Sequence, residues 1–278
     1  MKKLLLAMLL TFSSMAFAQD SRTKNFLIEE VYRNSDLSVR QQIIKTMRTY
    51  ISNNDVQRTL KSIVTDPREM TMIRQEAARS LSAVASDNDI ERALTTAHDG
   101  STDIDLRATI LRSLYKAASE NNRIKNVMIN NLLQNHDVRI QKASAFGLMR
   151  AVESSSDANT LITLAERPGL HPDVKVDIIK SLFNATGRSS TLNSLEMIAT
   201  NASENANVRA AAIRVLGSAP YTSSRRNLLF SLASNDYSAI VKAQAASALK
   251  FTLTETDIRW LRLDRNPGTR SERNPFEL

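Results

Sequence analysis

The chain has 278 residues, 5% aromatic residues and only six glycines and six prolines, so residues that favour turns and strands are scarce. Its many Ala, Leu, Ile, Ser, Asn, Arg and Lys residues favour helices and their caps, which predicts an all-helical protein. The formal charge is +8, and the absence of cysteine excludes disulfides, thiolate nucleophiles and Cys-ligated metals.

The first 18 residues have the pattern of a secretory signal peptide. Lys2 and Lys3 precede an apolar run from residue 4 to residue 12, and Ala16-Phe17-Ala18 provides a small-x-small cleavage site. We therefore expect cleavage after Ala18 and a periplasmic or secreted mature protein; an uncleaved anchor is the alternative. No later segment has the apolar length needed to span a membrane, so the mature chain is not expected to do so. Export also argues against nucleic acid as the partner of this basic chain.

A repeat of about 34 residues runs through the rest of the chain. Seven times, an aliphatic residue is followed by a basic residue at which an apolar helical pattern begins. We call these seven basic residues the anchors: Arg40, Arg74, Arg107, Arg139, Lys175, Arg209 and Lys242. Their spacing matches a two-helix unit, so each anchor marks the second helix of one repeat.

The same offsets after each anchor carry apolar residues. Four positions on stand Ile44, Ala78, Leu111, Ala143, Ile179, Ile213 and Ala246, and seven positions on stand Met47, Leu81, Leu114, Phe146, Leu182, Leu216 and Leu249. At helical spacing these residues share one face with the residues just before the anchors. We therefore expect them to form a buried stripe on every second helix.

Other signals complete the predicted elements. Asp105, Asp137, Asp173 and Asn207 stand two residues before their anchors, where an N-cap is expected. A first helix precedes each second helix. Residues 254–263 are predicted to form a capping helix for the last repeat, and residues 264–278 a flexible tail.

Together these patterns resemble the HEAT-repeat family, especially its shorter HEAT-like branch. The resemblance rests on starts such as Asp137-Val138-Arg139 and Asn207-Val208-Arg209, followed by Ala or Ile at the fourth position and Leu at the seventh. It covers about residues 23–253. It implies an all-α solenoid over residues 19–253, an armadillo-like superhelix of about seven two-helix repeats whose second helices line a concave side. Members are usually protein scaffolds, and a minority act on nucleic acid or attach chromophores.

The anchors lie within the predicted apolar arc. An unpaired buried charge is costly, so we interpret them as structural residues that pair with an acid or a carbonyl near a turn, rather than as ligand contacts.

A second basic set lies five residues after the anchors, on the side predicted to face solvent. We call it the basic row, and it comprises Lys45, Arg79, Arg112, Lys180 and Arg214. The row is either an ordinary solvated helix face or a groove for an anionic partner. The second interpretation makes these five residues the candidate partner-binding site.

No pattern in the sequence predicts catalytic residues, a cofactor or a metal. His98, His136 and His171 fall in predicted turns, and no pair has the spacing of ligands on one helix. Gly147 and Gly217 lie inside predicted second helices, where close packing explains them.

The sequence thus favours a non-enzymatic periplasmic scaffold or adaptor that binds proteins, acidic ones among them, on its concave face. Two alternatives stay open: a binder of an anionic envelope polymer or glycan through the basic row, and a HEAT-like enzyme.

The signal-peptide interpretation gives a first prediction. When the full chain is expressed in a bacterium, the mature protein should begin at Gln19, and Ala18→Arg should block processing because the cleavage site requires a small residue. Intact-mass measurement of both proteins tests this. A wild-type protein that retains residues 1–18 would contradict it.

Overall fold

The computed structural model describes residues 21–134, 137–149, 151–152, 154–220 and 222–252, with the backbone alone for 250–252. The predicted signal peptide, the predicted capping helix and the predicted tail lie outside these residues. No strand occurs in the described part of the chain, and the helices alternate between first and second members of a pair. The prediction of an all-α fold of two-helix HEAT-like repeats is confirmed.

The helices pair off in chain order. The first helices are α1 (21–33), α3 (Asn54–Thr65), α5 (Asn88–Asp99), α8 (Asn122–Gln134), α10 (Ser155–Glu166), α12 (Ser189–Thr200) and α14 (Ser223–Asn235). The second helices are α2 (Leu37–Met47), α4 (Thr71–Leu81), α6 (Ile104–Ser113) with its short extension α7 (Tyr115–Glu120), α9 (Val138–Gly147), α11 (Pro172–Ser181), α13 (Ala206–Leu216) and α15 (Ala239–Thr252). Short 3-10 turns follow α2, α4 and α11.

The chain divides into two compact units, Met1–Val152 and Glu153–Leu278. In the first unit the second helices pack side by side, α2 on α4, α4 on α6 and α6 on α9. In the second unit α11 packs on α13 and α13 on α15. Neighbouring second helices therefore form one layer within each unit.

The apolar stripe forms the core of both units. The residues four and seven positions after the anchors are buried, from Ile44 and Met47 to Ile213 and Leu216, with two exceptions. Ala246 and Phe146 are exposed, contrary to the predicted stripe. At Phe146 the chain turns so that Leu148 is buried instead. Each large side chain buried in this way contributes about 1.5–3 kcal/mol.

Three of the four predicted N-caps differ from those in the structure. Asp137 is the N-cap of α9, as predicted. Asp103, His171 and Asn205 cap α6, α11 and α13, each two residues before the residue expected. Because these helices begin earlier, Asp105 and Asp173 lie in the first turn, where the helix dipole also favours an acid.

Three anchor arginines donate a hydrogen bond to a carbonyl at the end of the first helix in their own repeat. Nε–H of Arg40 donates to the Val31 carbonyl at 2.8 Å. Nε–H of Arg74 donates to the Val64 carbonyl of α3 at 3.0 Å. Nε–H of Arg209 donates to the Ala199 carbonyl of α12 at the same distance. Carbonyls in the last turn have no partner within their own helix, so these bonds satisfy acceptors that the packing removes from water.

Three anchors also bind a carboxylate in the next repeat, in the turn between its two helices. Arg40 makes a two-pronged contact with Glu69, and Arg209 makes the same contact with Asp236. Nζ of Lys175 lies 2.6 Å from a Glu204 oxygen. Each pair therefore joins consecutive repeats. We call these three contacts the clasps.

The remaining anchors differ. Arg139 is exposed and pairs with Asp137 and Asp105, while Gln141 donates to the Leu132 carbonyl in its place. Nε of Arg107 is buried and has no partner in the described part of the chain. Lys242 is exposed.

The Arg209–Asp236 clasp predicts a large stability effect. Asp236→Ala should lower the free energy of unfolding by about 3–5 kcal/mol, because it leaves a guanidinium that is 2% exposed without its carboxylate. Glu29→Ala, which removes an exposed ion pair with Arg33, should cost about 0–1 kcal/mol. Urea denaturation followed by circular dichroism measures both; equal losses would contradict the clasp.

The same clasp predicts a pH dependence. Burial raises the pKa of Asp236, but hydrogen bonds from the Ser238 N–H and from Arg209 outweigh it and hold the pKa below its usual value. A lowered folded-state pKa stabilises the protein above the unfolded-state pKa, and this contribution disappears as the pH falls toward the folded-state pKa. The stability gap between wild type and Asp236→Asn should therefore narrow below about pH 4. Urea midpoints that keep a constant gap down to pH 3 would contradict this.

Candidate binding surface

The basic row lies at the ends of second helices. Each of its five residues occupies the last turn of its helix, α2, α4, α6, α11 or α13. Cations there interact favourably with the negative end of the helix dipole, by about 0.3–1 kcal/mol each. The sequence interpretation found no structural reason for charge at this offset, and the helix ends supply one.

Helix stacking brings the row together within each unit. Lys45, Arg79 and Arg112 lie on the consecutive neighbours α2, α4 and α6 of the first unit. Lys180 and Arg214 lie on the neighbours α11 and α13 of the second. The row is interrupted on α9, where Ser144 is buried.

The charges of the row are unevenly neutralised. Nη1 of Arg79 lies 3.1 Å from Glu76, and Nζ of Lys180 lies 2.9 Å from Asp177, each on its own helix. Within the described residues, no carboxylate pairs with Lys45, Arg112 or Arg214. All three are exposed, so the first unit presents two cations that no acid of the described chain compensates.

Two aromatic rings lie beside the row in the first unit. Tyr115 and Phe146 pack edge to face, with ring centroids 6.5 Å apart and an interplanar angle of 67°. We call this pair the aromatic shelf. Tyr115 lies three residues after Arg112, and the neighbouring Lys116 donates from Nζ to the Ala83 carbonyl in the 3-10 turn after α4. The sequence analysis missed the shelf because it placed Phe146 in the core.

In the second unit Phe183 is exposed three residues after Lys180, which repeats the spacing of Arg112 and Tyr115. In each unit, therefore, one residue of the basic row is followed at this distance by an aromatic side chain. This second pairing could have been found from the sequence, because both aromatics stand eight residues after an anchor.

The histidines do not assemble a metal site in the described residues. No group of three or more His, Asp or Glu side chains there has the arrangement of a metal site. His98, predicted in a turn, is buried in the last turn of α5, and its Nδ1 lies 2.8 Å from Asp99. Burial lowers the pKa of His98 and outweighs the hydrogen bond to Asp99, which raises the pKa. His171 caps α11, and His136 lies outside the described residues.

A polar pocket of about 410 Å³ lies between the start of α5 and the turn that joins α7 to α8. Its lining consists of Ser86, Asn88, Glu91, Ala117, Glu120, Asn121 and Asn122. Both oxygens of the buried Glu91 carboxylate are already bonded, to Arg123 and to Asn121. The pocket therefore offers amides, a hydroxyl and the Glu120 carboxylate, but hardly any apolar wall.

Close packing explains the two helical glycines, as the sequence predicted. A Cβ on Gly147 would lie 2.5 Å from Sδ of Met128, and a Cβ on Gly217 would lie 2.7 Å from Cβ of Ala248. Among the described helices, none combines the length and the apolar character of a membrane span.

Five chains among the solved structures match this chain. No family model matches the chain, and no curated protein matches it. A structure of human deoxyhypusine hydroxylase in complex with glycerol aligns with 87% of this chain and 99% of its own, at 15% sequence identity and a TM-score of 0.39. At this identity and TM-score the match assigns no activity to the chain.

This comparison corrects the functional prediction. The matched protein is an enzyme with a HEAT-like fold, so the inference of a non-enzymatic scaffold or adaptor is corrected: enzymes also have folds of this class. That inference rested on the absence of a recognisable catalytic motif, but an all-helical repeat fold does not exclude catalysis. Neither the scaffold nor its envelope-polymer alternative is retained.

Proposed function

We propose that the first unit binds an acidic polypeptide segment along Lys45, Arg79 and Arg112. The observation that supports this most is the alignment of these cations on three neighbouring helix ends, where Lys45 and Arg112 have no carboxylate partner in the described chain. Unneutralised charge of one sign on one face attracts and steers a partner of the opposite sign.

The spacing of the helices suits an extended chain. Packed helices lie about 8–10 Å apart, and an extended polypeptide advances about 3.3 Å per residue. Acidic residues at every third position would therefore meet successive cations of the row. A segment with this pattern can pair with Lys45, Arg79 and Arg112 in order, and Arg79 would exchange Glu76 for the partner's carboxylate.

We propose that this interaction takes place outside the cytoplasm, because residues 1–18 have the pattern of a signal peptide. Cleavage after Ala18 removes Lys2 and Lys3 and lowers the formal charge of the chain by two units, while every member of the basic row is kept. The proposed partner is therefore a periplasmic or secreted polypeptide.

The test uses a fluorescein-labelled 12-residue peptide with Glu at every third position and Ser and Gly elsewhere. The triple variant Lys45→Glu, Arg79→Glu and Arg112→Glu should bind it at least about tenfold more weakly, because each lost pair is worth a large part of a kcal/mol. Fluorescence anisotropy at low and moderate salt measures the affinity.

The matched control is Arg33→Glu, Arg58→Glu and Arg92→Glu. It makes the same change of charge on the first helices of the same three repeats, where all three arginines are exposed. It should weaken binding by less than about threefold through the general field alone. Equal weakening by both triples would overturn the proposal, and so would equally tight binding of dextran sulfate, which would indicate a general polyanion surface.

A further inference from the structure

The aromatic shelf departs from the pattern of the other repeats. The six other residues seven positions after an anchor are at most 2% exposed, whereas Phe146 is 45% exposed. The core position that the repeat assigns to this residue is filled by Leu148, which is 1% exposed. A large aromatic side chain has thus moved from the core to the surface.

The backbone that follows Phe146 is closely packed. Gly147 has no Cβ, so Met128 of α8 approaches the backbone of α9 at a point where a Cβ would lie 2.5 Å from its Sδ. Helix α9 ends at Gly147, and Leu148 in the following turn is buried. Phe146 is therefore exposed beside a tightly packed stretch of backbone.

The rings of the shelf are set among cations. Arg112 lies three residues before Tyr115 and has no carboxylate partner in the described chain. Lys116 follows Tyr115 directly and is held against the 3-10 turn after α4 by its bond to the Ala83 carbonyl. The apolar residue Met149 is also exposed, three residues after Phe146. The surface is thus apolar at its centre and positively charged at its border.

We propose that the shelf binds an aromatic side chain of the same acidic segment, flanked in that segment by Asp or Glu. This inference rests on the proposed function and adds the determinant of specificity. Edge-to-face and offset stacking on Phe146 suits an aromatic ligand, and the cations at the border suit its acidic neighbours. A polyanion without apolar side chains would leave the shelf uncovered.

The experiment compares two probes that differ at one position. Both are the labelled 12-residue peptide with Glu at every third position, one with Phe and one with Ala at a central site between two Glu residues. Wild type should bind the Phe probe about tenfold more tightly, because the ring loses apolar surface to water at the shelf. In Phe146→Ala this preference should disappear, while the affinity for the Ala probe stays unchanged.

Phe26→Ala is the matched control. Phe26 belongs to the same unit, is 62% exposed and lies on α1, so its removal makes the same chemical change away from the shelf. It should keep the full preference for the Phe probe. Thermal unfolding of both variants, followed by circular dichroism, checks that each retains its fold.

The outcomes separate the two proposals. If wild type binds both probes equally and the row triple weakens both, the basic row stands and the shelf is overturned. A preference for Phe that survives in Phe146→Ala also overturns the shelf. If the Phe probe binds the row triple as tightly as wild type and loses affinity only in Phe146→Ala, the shelf stands and the basic row falls. Failure of both probes to bind wild type overturns both.

Discussion

The contact of each second helix with its neighbour in the layer is the constraint on which the rest of this structure depends. It buries side chains such as Ile44, Leu81 and Leu111 on one face of every second helix. Because the helices lie side by side, whatever stands at the end of one helix is brought next to the end of another. The basic row is a consequence of this register.

Arginine suits the anchor position because its head group has separate donors. In Arg40 and Arg209, Nε–H satisfies a carbonyl of the same repeat while the two terminal nitrogens hold a carboxylate of the next. Lysine has a single ammonium group. In the described part of the chain, that of Lys175 binds the carboxylate of Glu204 in the next repeat but no carbonyl of its own repeat. A guanidinium can therefore be buried at a helix end that would otherwise keep unpaired acceptors.

The repeat could be predicted from the sequence because it depends on a local period that seven segments share. What could not be predicted depends on contacts between distant residues. The exposure of Phe146 could not be predicted from its register, because Leu148 in the turn after α9 is buried instead. The caps at Asp103 and Asn205 were missed because an acidic or amide residue is favourable both at the cap and in the first turn. The sequence analysis also missed that the basic row lies at helix ends, where the helix dipole favours cations. The functional prediction rested on the absence of a familiar catalytic motif, and such an absence does not exclude catalysis.

The unsatisfied Nε of Arg107 has a consequence for where the first unit opens. A clasp joins only consecutive repeats, so local opening at one repeat breaks few long-range contacts. Opening at α4 breaks the bond from Arg74 to the Val64 carbonyl, whereas opening at α6 brings water to Nε of Arg107, a donor without a partner in the described part of the chain. This lowers the cost of opening at α6, the helix that carries Arg112 and leads directly into Tyr115.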